Sequence, residues 1–380
     1  MLRNIVRFQN FTSYRYNLRS FSTGGTGVNN NDEVSPRSLL GKKLKIIKST
    51  TTNPLFNIAT EDWLFKEFDL THQVLFLWRN SPTVVIGRYQ NPFKECHLQR
   101  MDEDKVVLSR RYSGGGAVYQ DEGNSNFTFL SATENYDKKR NTQIIIDALE
   151  KLGIPTPEAS GRNDIVVMGK KVSGSAYKQS GKRSFHHGTM MIDVNLDSLQ
   201  KYLNPNKDKL KSKGISSVIS RVLNMKTINP DLNHKVLCDQ VIESFLKTYG
   251  SELAETCEVV ELNTSHLETI PSLKETYESL MDWEWRYGNS PPFEHQFEKR
   301  FDWGIMDINM NCKKGLIEEC KIYSDSLNPT MIEEINKQLL GVKYSPEGIS
   351  LALDNVKQLF KDTEYSNQID ELKNWIIKEI

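Results

Sequence analysis

The sequence predicts an α+β protein with two folded domains, and three observations support this class. Short apolar runs rich in β-branched and aromatic residues, such as 74–80 (VLFLWRN) and 83–91 (TVVIGRYQN), are separated by turn residues, as in strands. Other segments repeat apolar residues at helical spacing. The chain of 380 residues exceeds the roughly 100 to 200 residues of one domain, and Pro291-Pro292 marks a boundary after a Trp-rich segment.

The composition is that of an ordinary globular protein, with 38% hydrophobic and 26% charged residues. No stretch approaches the roughly 20 apolar residues of a membrane-spanning helix, so we expect no membrane partner. The five cysteines include no CxxC pair, so neither a disulfide framework nor a structural metal site is indicated. Residues 32–380 hold 45 basic and 49 acidic side chains, a balance that argues against nucleic-acid binding.

The first 31 residues have the composition of a mitochondrial presequence. They contain four arginines, serines, scattered apolar residues and no acidic residue. A disordered basic tail is the alternative interpretation. We therefore expect a presequence and polar linker at 1–31 and a location in the mitochondrial matrix, a reducing compartment that suits unpaired cysteines.

The elements of the first half follow in order. Residues 44–49 (LKIIKS) predict the first strand, and 53–68 predict an amphipathic helix with Asn53 as its cap and Pro54 at its first position. The two runs at 74–80 and 83–91 predict a pair of buried strands joined by a turn. Residues 106–131 then predict a strand, a glycine-rich turn, a second strand, a turn at 122–124 and a third strand.

Further along, 141–154 predicts a helix that stops at Gly153, and 163–179 predicts two strands around a turn at 168–170. Residues 185–194 predict another strand, and helices follow near 198–203 and 234–249. Beyond the boundary, 301–325 predicts strands in a meander, and 329–341 and 367–380 predict helices of a small α+β domain.

The glycine turn at 110–119 (RRYSGGGAVY) is the first candidate site. Successive glycines expose backbone N–H groups to an anion, and Arg110 and Arg111 add charge-assisted hydrogen bonds, so the turn suits a phosphate. It is neither a Walker loop nor a dinucleotide fingerprint. A turn whose glycines allow close backbone packing is the alternative.

Lys171 is the second candidate, since it lies on a predicted strand followed by Ser-Gly-Ser-Ala. Period-two alternation puts Lys171 on one face with Ser173 and Ser175, and Val172, Gly174 and Ala176 on the other. If its face lines a pocket, the ammonium suits a phosphate or carboxylate. A solvated edge lysine is the alternative.

Three further sites are weaker. Asn163 and Asp164 open the same hairpin, where they suit either Mg²⁺ near a phosphate or a simple Asx turn. His186 and His187 must face opposite sides of a strand, so at most one enters a site. Gly214–Ser217, after a basic run, suits a loop that closes over a ligand, or a solvated surface.

Several segments together resemble the lipoate–protein ligase A family. They are RRYSGGGAVYQDEGN, GRNDIVV, KKVSGSAYK, FHHGTMMID and KGISSVISRV, in this order, and similarity extends from about Leu44 to the C-terminus. The resemblance implies the catalytic fold shared by biotin ligases and class II aminoacyl-tRNA synthetases, at 42–288. It also implies a small C-terminal accessory domain, at 293–380.

The resemblance also implies a reaction and its partners. Members use ATP and Mg²⁺ to convert lipoate into lipoyl-AMP, and then transfer the lipoyl group to a lysine of an acceptor domain. Acceptors are the lipoyl domains of 2-oxoacid dehydrogenase E2 subunits and the glycine-cleavage H protein. We expect a monomer, and no metal as a structural site.

The site residues implied by the resemblance are assigned position by position. ATP would be bound by Arg111, Gly116, Ala117, Val118, Tyr119 and Lys171, and lipoate by Lys171, Gly115 and His187. Lys171 would also be the catalytic cation, and Asn163 and Asp164 would lie near Mg²⁺ or the adenylate. The chain departs from the family in one respect: Gln120 stands where members commonly have histidine, so we assign it no acid–base role.

Three alternatives to the complete ligase stay open. A lipoyltransferase would accept preformed lipoyl-AMP without activating lipoate efficiently. A cysteine-dependent acyltransferase is disfavoured because no cysteine lies between Cys96 and Cys238. A non-catalytic protein that only binds lipoyl domains would not need Lys171.

Overall fold

The structure is a computed structural model that describes residues 43–204, 221–287, 295–313 and 315–380. The predicted presequence at 1–31, the loop Gly214–Ser217 and the boundary Pro291-Pro292 lie outside these residues. In the described ranges, no helix has the length and apolar character needed to cross a membrane.

The described residues form fourteen strands. They are β1 (Lys43–Ser49), β2 (His72–Trp78), β3 (Thr83–Ile86), β4 (Val107–Arg110), β5 (Val118–Gln120), β6 (Asn124–Ala132), β7 (Glu158–Ser160), β8 (Asp164–Val167), β9 (Lys170–Ser180), β10 (Arg183–Met191), β11 (Glu258–Leu262), β12 (His295–Phe301), β13 (Gly304–Lys313) and β14 (Leu316–Ser324). The sequence predicts most of them, but not β7, β11 or β12.

The helices differ greatly in length. They are α1 (Pro54–Glu67), α2 (Pro92–Glu95), α3 (Leu98–Glu103), α4 (Lys138–Lys151), α5 (Leu196–Tyr202), α6 (His234–Tyr249), α7 (Ser251–Glu255), α8 (Pro271–Met281), α9 (Trp283–Arg286), α10 (Pro329–Leu339), α11 (Pro346–Leu359) and α12 (Tyr365–Glu379). The sequence does not predict α11, although Ser345 caps it by accepting a hydrogen bond from the Gly348 N–H.

The main sheet has eight strands in the order β11-β1-β2-β6-β10-β9-β8-β7. β1 pairs parallel with β11 and β2, and the remaining pairs are antiparallel. One face packs on α4 and α6 through residues such as Phe127, Ile145 and Val241. The other face packs on α1 and α8 through Phe76, Phe56 and Leu273. Both faces of the sheet are thus covered, and the second face also borders the cavity described below.

The strands β2 and β3 are present as predicted but do not pair with each other. β2 belongs to the main sheet, whereas β3 is the centre of a separate sheet in which it pairs parallel with β4 and antiparallel with β5. The two buried strands and the turn between them are therefore as predicted, but the two strands do not form a hairpin. The turn between them redirects the chain, because β2 already has β1 and β6 as neighbours.

Helix α1 begins as predicted, with the Asn53 side chain accepting a hydrogen bond from the Phe56 N–H. The prediction that it is amphipathic is wrong, since Lys66 and Glu67 are its only exposed residues. Asn57, Glu61 and other polar side chains are as buried as their apolar neighbours. The helix lies between the main sheet and α8, so polar residues on every side must find partners inside the protein.

Residues 295–380 form a compact α+β unit with its own core. The strands β13 and β14 lie in the predicted meander, and β12, which the sequence does not predict, extends it on the N-terminal side as an antiparallel neighbour of β13. The helices α10, α11 and α12 pack on this sheet. Met306 and Ile322 of the sheet form one core with Ile332, Ile349 and Leu372 of the helices. The unit contacts the rest of the chain through backbone hydrogen bonds from Gly115 and Ser324.

Candidate active site

A cavity of about 920 Å³ lies between the main sheet, the glycine turn and the C-terminal unit. Cavities of about 300 to 1,000 Å³ are typical of small-ligand and cofactor sites. Polar walls come from Glu61 of α1, His187 and Thr189 of β10, and Arg300 of β12. Apolar lining comes from Ile58, Trp78, Val85, Ala117, Val118, Leu199, Phe301 and Leu327. The cavity therefore combines ion-binding groups with an apolar surface.

Every site residue assigned from the family resemblance lies on the wall of this cavity. They are Arg111, Gly115, Gly116, Ala117, Val118, Tyr119, Asn163, Asp164, Lys171 and His187. The glycine turn and β5 supply one group, the β7–β8 hairpin and β9 supply a second, and β10 supplies His187. The cavity brings these distant segments together, and the ligand that each residue contacts stays a prediction.

Lys171 faces the cavity because of an irregularity in β9. The register of β8 and β9 shifts between Ile165 and Val166, so that Asp164 pairs with Gly174 but Val166 pairs with Lys171. This β-bulge leaves one extra residue on β9 and turns Lys171 onto the side that holds Asp164. A Cβ built on Gly174 would lie 2.6 Å from Lys171 Nζ, so the ammonium passes directly over this glycine.

The predicted alternation of faces along β9 is therefore wrong for Lys171. It shares its face with Gly174, whereas Val172 is fully buried in the core on the opposite side of the sheet. Ser173 is also fully buried, and its hydroxyl has no hydrogen-bond partner among the described residues. The bulge thus removes Ser173 from the site and leaves Lys171 in it.

Asp164 is the ion-pair partner of Lys171, with its Oδ1 2.8 Å from Nζ. Asn163 holds the hairpin against β9, since its amide donates to the Ser175 carbonyl at 2.6 Å and its own carbonyl accepts from the Ser175 N–H. Lys171 is 33% exposed and Asp164 27%, so the pair remains open to a ligand. This arrangement favours a functional role for Asp164 over a simple Asx turn.

The glycine turn is shaped by close backbone contacts. A Cβ on Gly114 would lie 2.0 Å from the Ser326 carbonyl oxygen, and one on Gly87 would lie 2.3 Å from the Gly115 carbonyl oxygen. Gly115 has a φ of 91°, a conformation that favours glycine. Its N–H donates to the Ser326 carbonyl rather than facing the cavity. Close backbone packing, the alternative interpretation, therefore explains why residue 114 is glycine. The Gly115 N–H, one of the groups expected to bind an anion, is already used by Ser326.

Arg111 lies beneath this turn and holds it in place. Its Nε donates to Ser113, and its Nη2 donates to the carbonyls of Gly114 at 2.7 Å and Gly116 at 2.8 Å. Its Nη1 donates to the Val85 carbonyl. Burial lowers the pKa of Arg111 to about 10, so the guanidinium stays charged near neutral pH. Its positive charge faces the cavity wall, while most of its donors are used to fix the turn.

Arg110 points away from Arg111, so the predicted pair of cations does not form. Adjacent strand residues face opposite sides, and Arg110 donates instead to the carbonyls of Arg88, Gln90, Trp285 and Arg286. Burial lowers its pKa to about 10 as well. Arg110 therefore ties α9 to the small sheet and lies outside the cavity.

His187 forms the centre of a buried chain of hydrogen bonds. Its Nδ1 lies 2.8 Å from both carboxylate oxygens of Glu61, and its Nε2 lies 2.8 Å from the Ser113 hydroxyl. Because a carboxylate only accepts, Nδ1 donates to Glu61, and Nε2 shares a hydrogen bond with the Ser113 hydroxyl. Thr128 also donates to Glu61, at 2.6 Å, and Trp78 donates to Thr128. The chain connects α1, β10 and the glycine turn.

Glu61 is one member of this site that we did not predict. A signal was present, because Glu61 and Asp62 are consecutive acids inside an otherwise apolar helical segment. Such a pair is costly to bury without partners. His186 faces the opposite side, as the strand period requires, and is buried among Phe127 and Tyr177. One histidine of the pair thus enters the site.

Gln120 is a buried structural amide on the cavity wall. Its Oε1 accepts hydrogen bonds from Asn80 at 2.8 Å and Asn126 at 3.3 Å. Asn57 extends the network by donating to Asn80. This network agrees with assigning Gln120 no acid–base role.

The described residues contain no cluster of three or more His, Cys, Asp or Glu side chains suited to a metal ion. A Mg²⁺ ion that binds together with a nucleotide needs fewer protein ligands. Phosphates and water supply most of its ligands, and the protein adds one or two carboxylates. Asp164 is a carboxylate suited to this role, and it faces the cavity next to Lys171. The residues present therefore fit a Mg²⁺ ion that is held mainly by phosphate oxygens.

Two family models match the chain. The lipoyl protein ligase A/B catalytic domain matches residues 53–248, and the bacterial lipoate protein ligase C-terminus matches residues 290–376. The first covers the main sheet except β1 and β11, together with the cavity residues outside the C-terminal unit, and the second covers most of that unit.

Curated relatives match over nearly their full length. A lipoate-protein ligase A of Psychrobacter cryohalolentis is 47% identical over 339 residues, which are 89% of this chain and 99% of the relative. A lipoate-protein ligase A of Bdellovibrio bacteriovorus is 43% identical over 343 residues, again 89% and 99%. Among solved structures, P. falciparum LipL1 in complex with lipoate is 31% identical, with a TM-score of 0.76 over 88% of this chain and 99% of that one.

Proposed function

Since the chain belongs to the lipoate–protein ligase A family and is a lipoate–protein ligase, we propose that it catalyses both steps of ATP-dependent protein lipoylation. The observation that carries this proposal is the Lys171–Asp164 pair on the wall of a cavity that also holds the glycine turn. We propose that this pair holds a cation at the position where the lipoate carboxylate and the α-phosphate meet. The predicted fold class is confirmed: a mixed α/β catalytic unit with a small C-terminal unit.

In the first step, a carboxylate oxygen of lipoate attacks the α-phosphorus of ATP. A new P–O bond forms, the bond to the β-phosphate breaks, and pyrophosphate leaves. Both reactants are negatively charged, so they repel each other as they approach. Lys171, placed between them, offsets this repulsion and stabilises the charge of the transition state.

Asp164 keeps Lys171 extended over Gly174, which prepares the ammonium for this position. We propose that Arg111, together with Gly116, Ala117, Val118 and Tyr119, forms the nucleotide wall, and that Gly115, His187 and Lys171 contact lipoate. Mg²⁺, bound by phosphate oxygens and Asp164, would neutralise negative charge on the phosphates.

In the second step, the amine of an acceptor lysine attacks the acyl carbon of lipoyl-AMP. An amide bond forms, AMP leaves, and the nitrogen loses a proton. Orientation of the two reactants supplies much of the rate, since it contributes about 7 to 11 kcal/mol in well-aligned reactions. We propose lipoyl domains of 2-oxoacid dehydrogenase E2 subunits and the glycine-cleavage H protein as acceptors, and a monomeric enzyme.

The decisive experiment is lipoate-dependent exchange of labelled pyrophosphate into ATP by the purified protein. We expect exchange that requires lipoate, because only lipoyl-AMP formation can reverse to ATP. If exchange were absent while transfer from synthetic lipoyl-AMP persisted, the chain would be a lipoyltransferase without lipoate activation.

We also propose that residues 1–31 direct the chain to the mitochondrial matrix, on the basis of their basic, acid-free composition. The catalytic domain then spans 42–288 and the accessory domain 293–380. A fluorescent fusion with and without residues 1–31 tests the location. Mitochondrial import that persists after the deletion would refute it.

A further inference from the structure

Arg300, at the end of β12, lies on the cavity wall and comes from the C-terminal unit rather than from the catalytic sheet. Its Nη1 is buried and makes no hydrogen bond to any described residue. The Asp325 Oδ2 lies 3.8 Å from Nη1, which is within ion-pair range but too far for a hydrogen bond. A buried guanidinium nitrogen without an acceptor is costly, so this one is suited to receive a ligand oxygen.

Asp325 is the ion-pair partner of the Arg300 guanidinium but leaves its Nη1 without a hydrogen bond. Its Oδ1 accepts the Ile305 N–H at 2.7 Å, which fixes the carboxylate within the β12–β13 region. The Arg300 side chain is 22% exposed, and Asp325 is only 3% exposed. Arg300 is therefore the more exposed member of the pair, and it lines the cavity.

Arg300 belongs to the same end of the cavity as Lys171. Asp164, the partner of Lys171, follows the hairpin turn that contains Arg162. Arg162 donates through Nη1 to the carbonyl of Trp303, three residues after Arg300. The β12–β13 turn thus packs on the turn that positions Lys171.

Among the other cations of this cavity, Arg111 and Arg162 are partly committed, and Arg221 also lines it. Arg111 uses most of its donors on the glycine turn, and Arg162 donates to Trp303. Lys171, in the proposed function, contacts the α-phosphate and the lipoate carboxylate. The β- and γ-phosphates of ATP still need positive charge, and a guanidinium suits phosphate oxygens especially well.

We propose that Arg300 binds the β- and γ-phosphates of ATP, so that the C-terminal unit contributes directly to the polyphosphate site. This inference rests on the proposed use of ATP. AMP and lipoyl-AMP have neither phosphate, so Arg300 should distinguish ATP from both. The C-terminal unit thereby recognises the substrate of the first step and not its product.

Equilibrium binding of ATP and of AMP, measured by calorimetry on the full chain, tests this directly. We expect Arg300→Met to weaken ATP binding about tenfold to a hundredfold, since a charged hydrogen-bonding partner is lost, and to leave AMP binding unchanged. Arg300→Lys, which keeps the charge, should recover part of the loss. Lys299→Met is the matched control, because Lys299 is exposed and lies over Phe301.

Three outcomes would overturn the proposal: equal weakening of ATP and AMP, unchanged binding of both, or a loss confined to lipoate binding. A loss confined to lipoate binding would mean that Arg300 contacts the carboxylate of lipoate instead. If Arg300→Met does not fold, the same comparison with Arg300→Lys decides, because a point charge replaces the guanidinium fork. Failure of the proposed ligase function is separate, since it appears as missing pyrophosphate exchange in the unsubstituted protein.

Discussion

Lys171 and Asp164 lie on the same face of the main sheet because a β-bulge interrupts the regular pairing of β8 and β9. Their ion pair, with Nζ 2.8 Å from Oδ1, depends on the register shift between Ile165 and Val166. Without the bulge, regular alternation would turn Lys171 toward the apolar core on the other face of the sheet, where Val172 lies in this structure. The bulge is therefore a functional feature of the site.

Replacing Lys171 with alanine should abolish adenylate formation and leave the fold intact. The side chain is one-third exposed and contributes little to the core, whereas a pre-positioned charge at a transition state contributes about 10²- to 10³-fold in rate. Lipoate-dependent pyrophosphate exchange and thermal unfolding measure the two effects. Full lipoylation activity in Lys171→Ala would remove Lys171 from the proposed site.

Replacing Gly174 with alanine should displace the Lys171 ammonium. A Cβ at this position would lie 2.6 Å from Nζ, closer than real contacts allow, so the side chain must move. We expect exchange activity to fall at least about tenfold, as for misplaced catalytic groups. A double-mutant cycle with Lys171→Met, measured as the binding of ATP, is the control. If Gly174→Ala weakened ATP binding further in that background, its effect would not act through Lys171.

Replacing Gly114 with alanine should separate the glycine turn from the C-terminal unit. The added Cβ would lie 2.0 Å from the Ser326 carbonyl oxygen, and the hydrogen bond from the Gly115 N–H to the same oxygen would then be lost. Hydrogen exchange of the turn should become at least about tenfold faster. Ser326→Ala keeps the backbone carbonyl and serves as the control. Unchanged protection in Gly114→Ala would contradict the contact.

Replacing Glu61 with glutamine should destabilise the chain of hydrogen bonds around His187. The carboxylate is buried and accepts from both His187 and Thr128, and hydrogen bonds to a charged group contribute about 1.5 to 3 kcal/mol. We expect the free energy of unfolding in urea to fall by a similar amount. Glu67→Gln, on the exposed end of the same helix, should have no effect. Equal stability of the two variants would argue against the assigned network.

Replacing His186 with phenylalanine should make the protein more resistant to acid. Burial lowers the pKa of His186 to about 3, against a usual value of 6.5, and both ring nitrogens lack partners among the described residues. Between these pH values the unfolded chain binds one more proton than the folded one. His186 therefore lowers the free energy of unfolding by about 1.4 kcal/mol for each unit that the pH falls.

His186→Phe removes this dependence, and Phe127 and Phe129 already surround the position with aromatic rings. Urea unfolding at pH 6.5, 5.5 and 4.5 measures the slope. His234, whose burial lowers its pKa to about 4, contributes a similar slope to both proteins and so cancels in the comparison. Parallel pH profiles for the two proteins would show that His186 is protonated in the folded state.

Local sequence determined the elements that depend on neighbouring residues. The cap and first turn of α1, the glycine turn between β4 and β5, and the hairpin between β8 and β9 each follow from short-range preferences. The opposite orientation of His186 and His187 follows from the strand period alone. The family motifs identified the cavity residues, and all of them line one cavity.

Only the tertiary structure decided which side chains meet. The side of the sheet that Lys171 faces depends on pairing with β8, and the use of the Gly115 N–H depends on Ser326, more than 200 residues away. Glu61 became a site residue because α1 is buried on nearly every side, so its carboxylate had to find His187. Register, burial and long-range contacts are properties of the packed chain, and no local pattern specifies them.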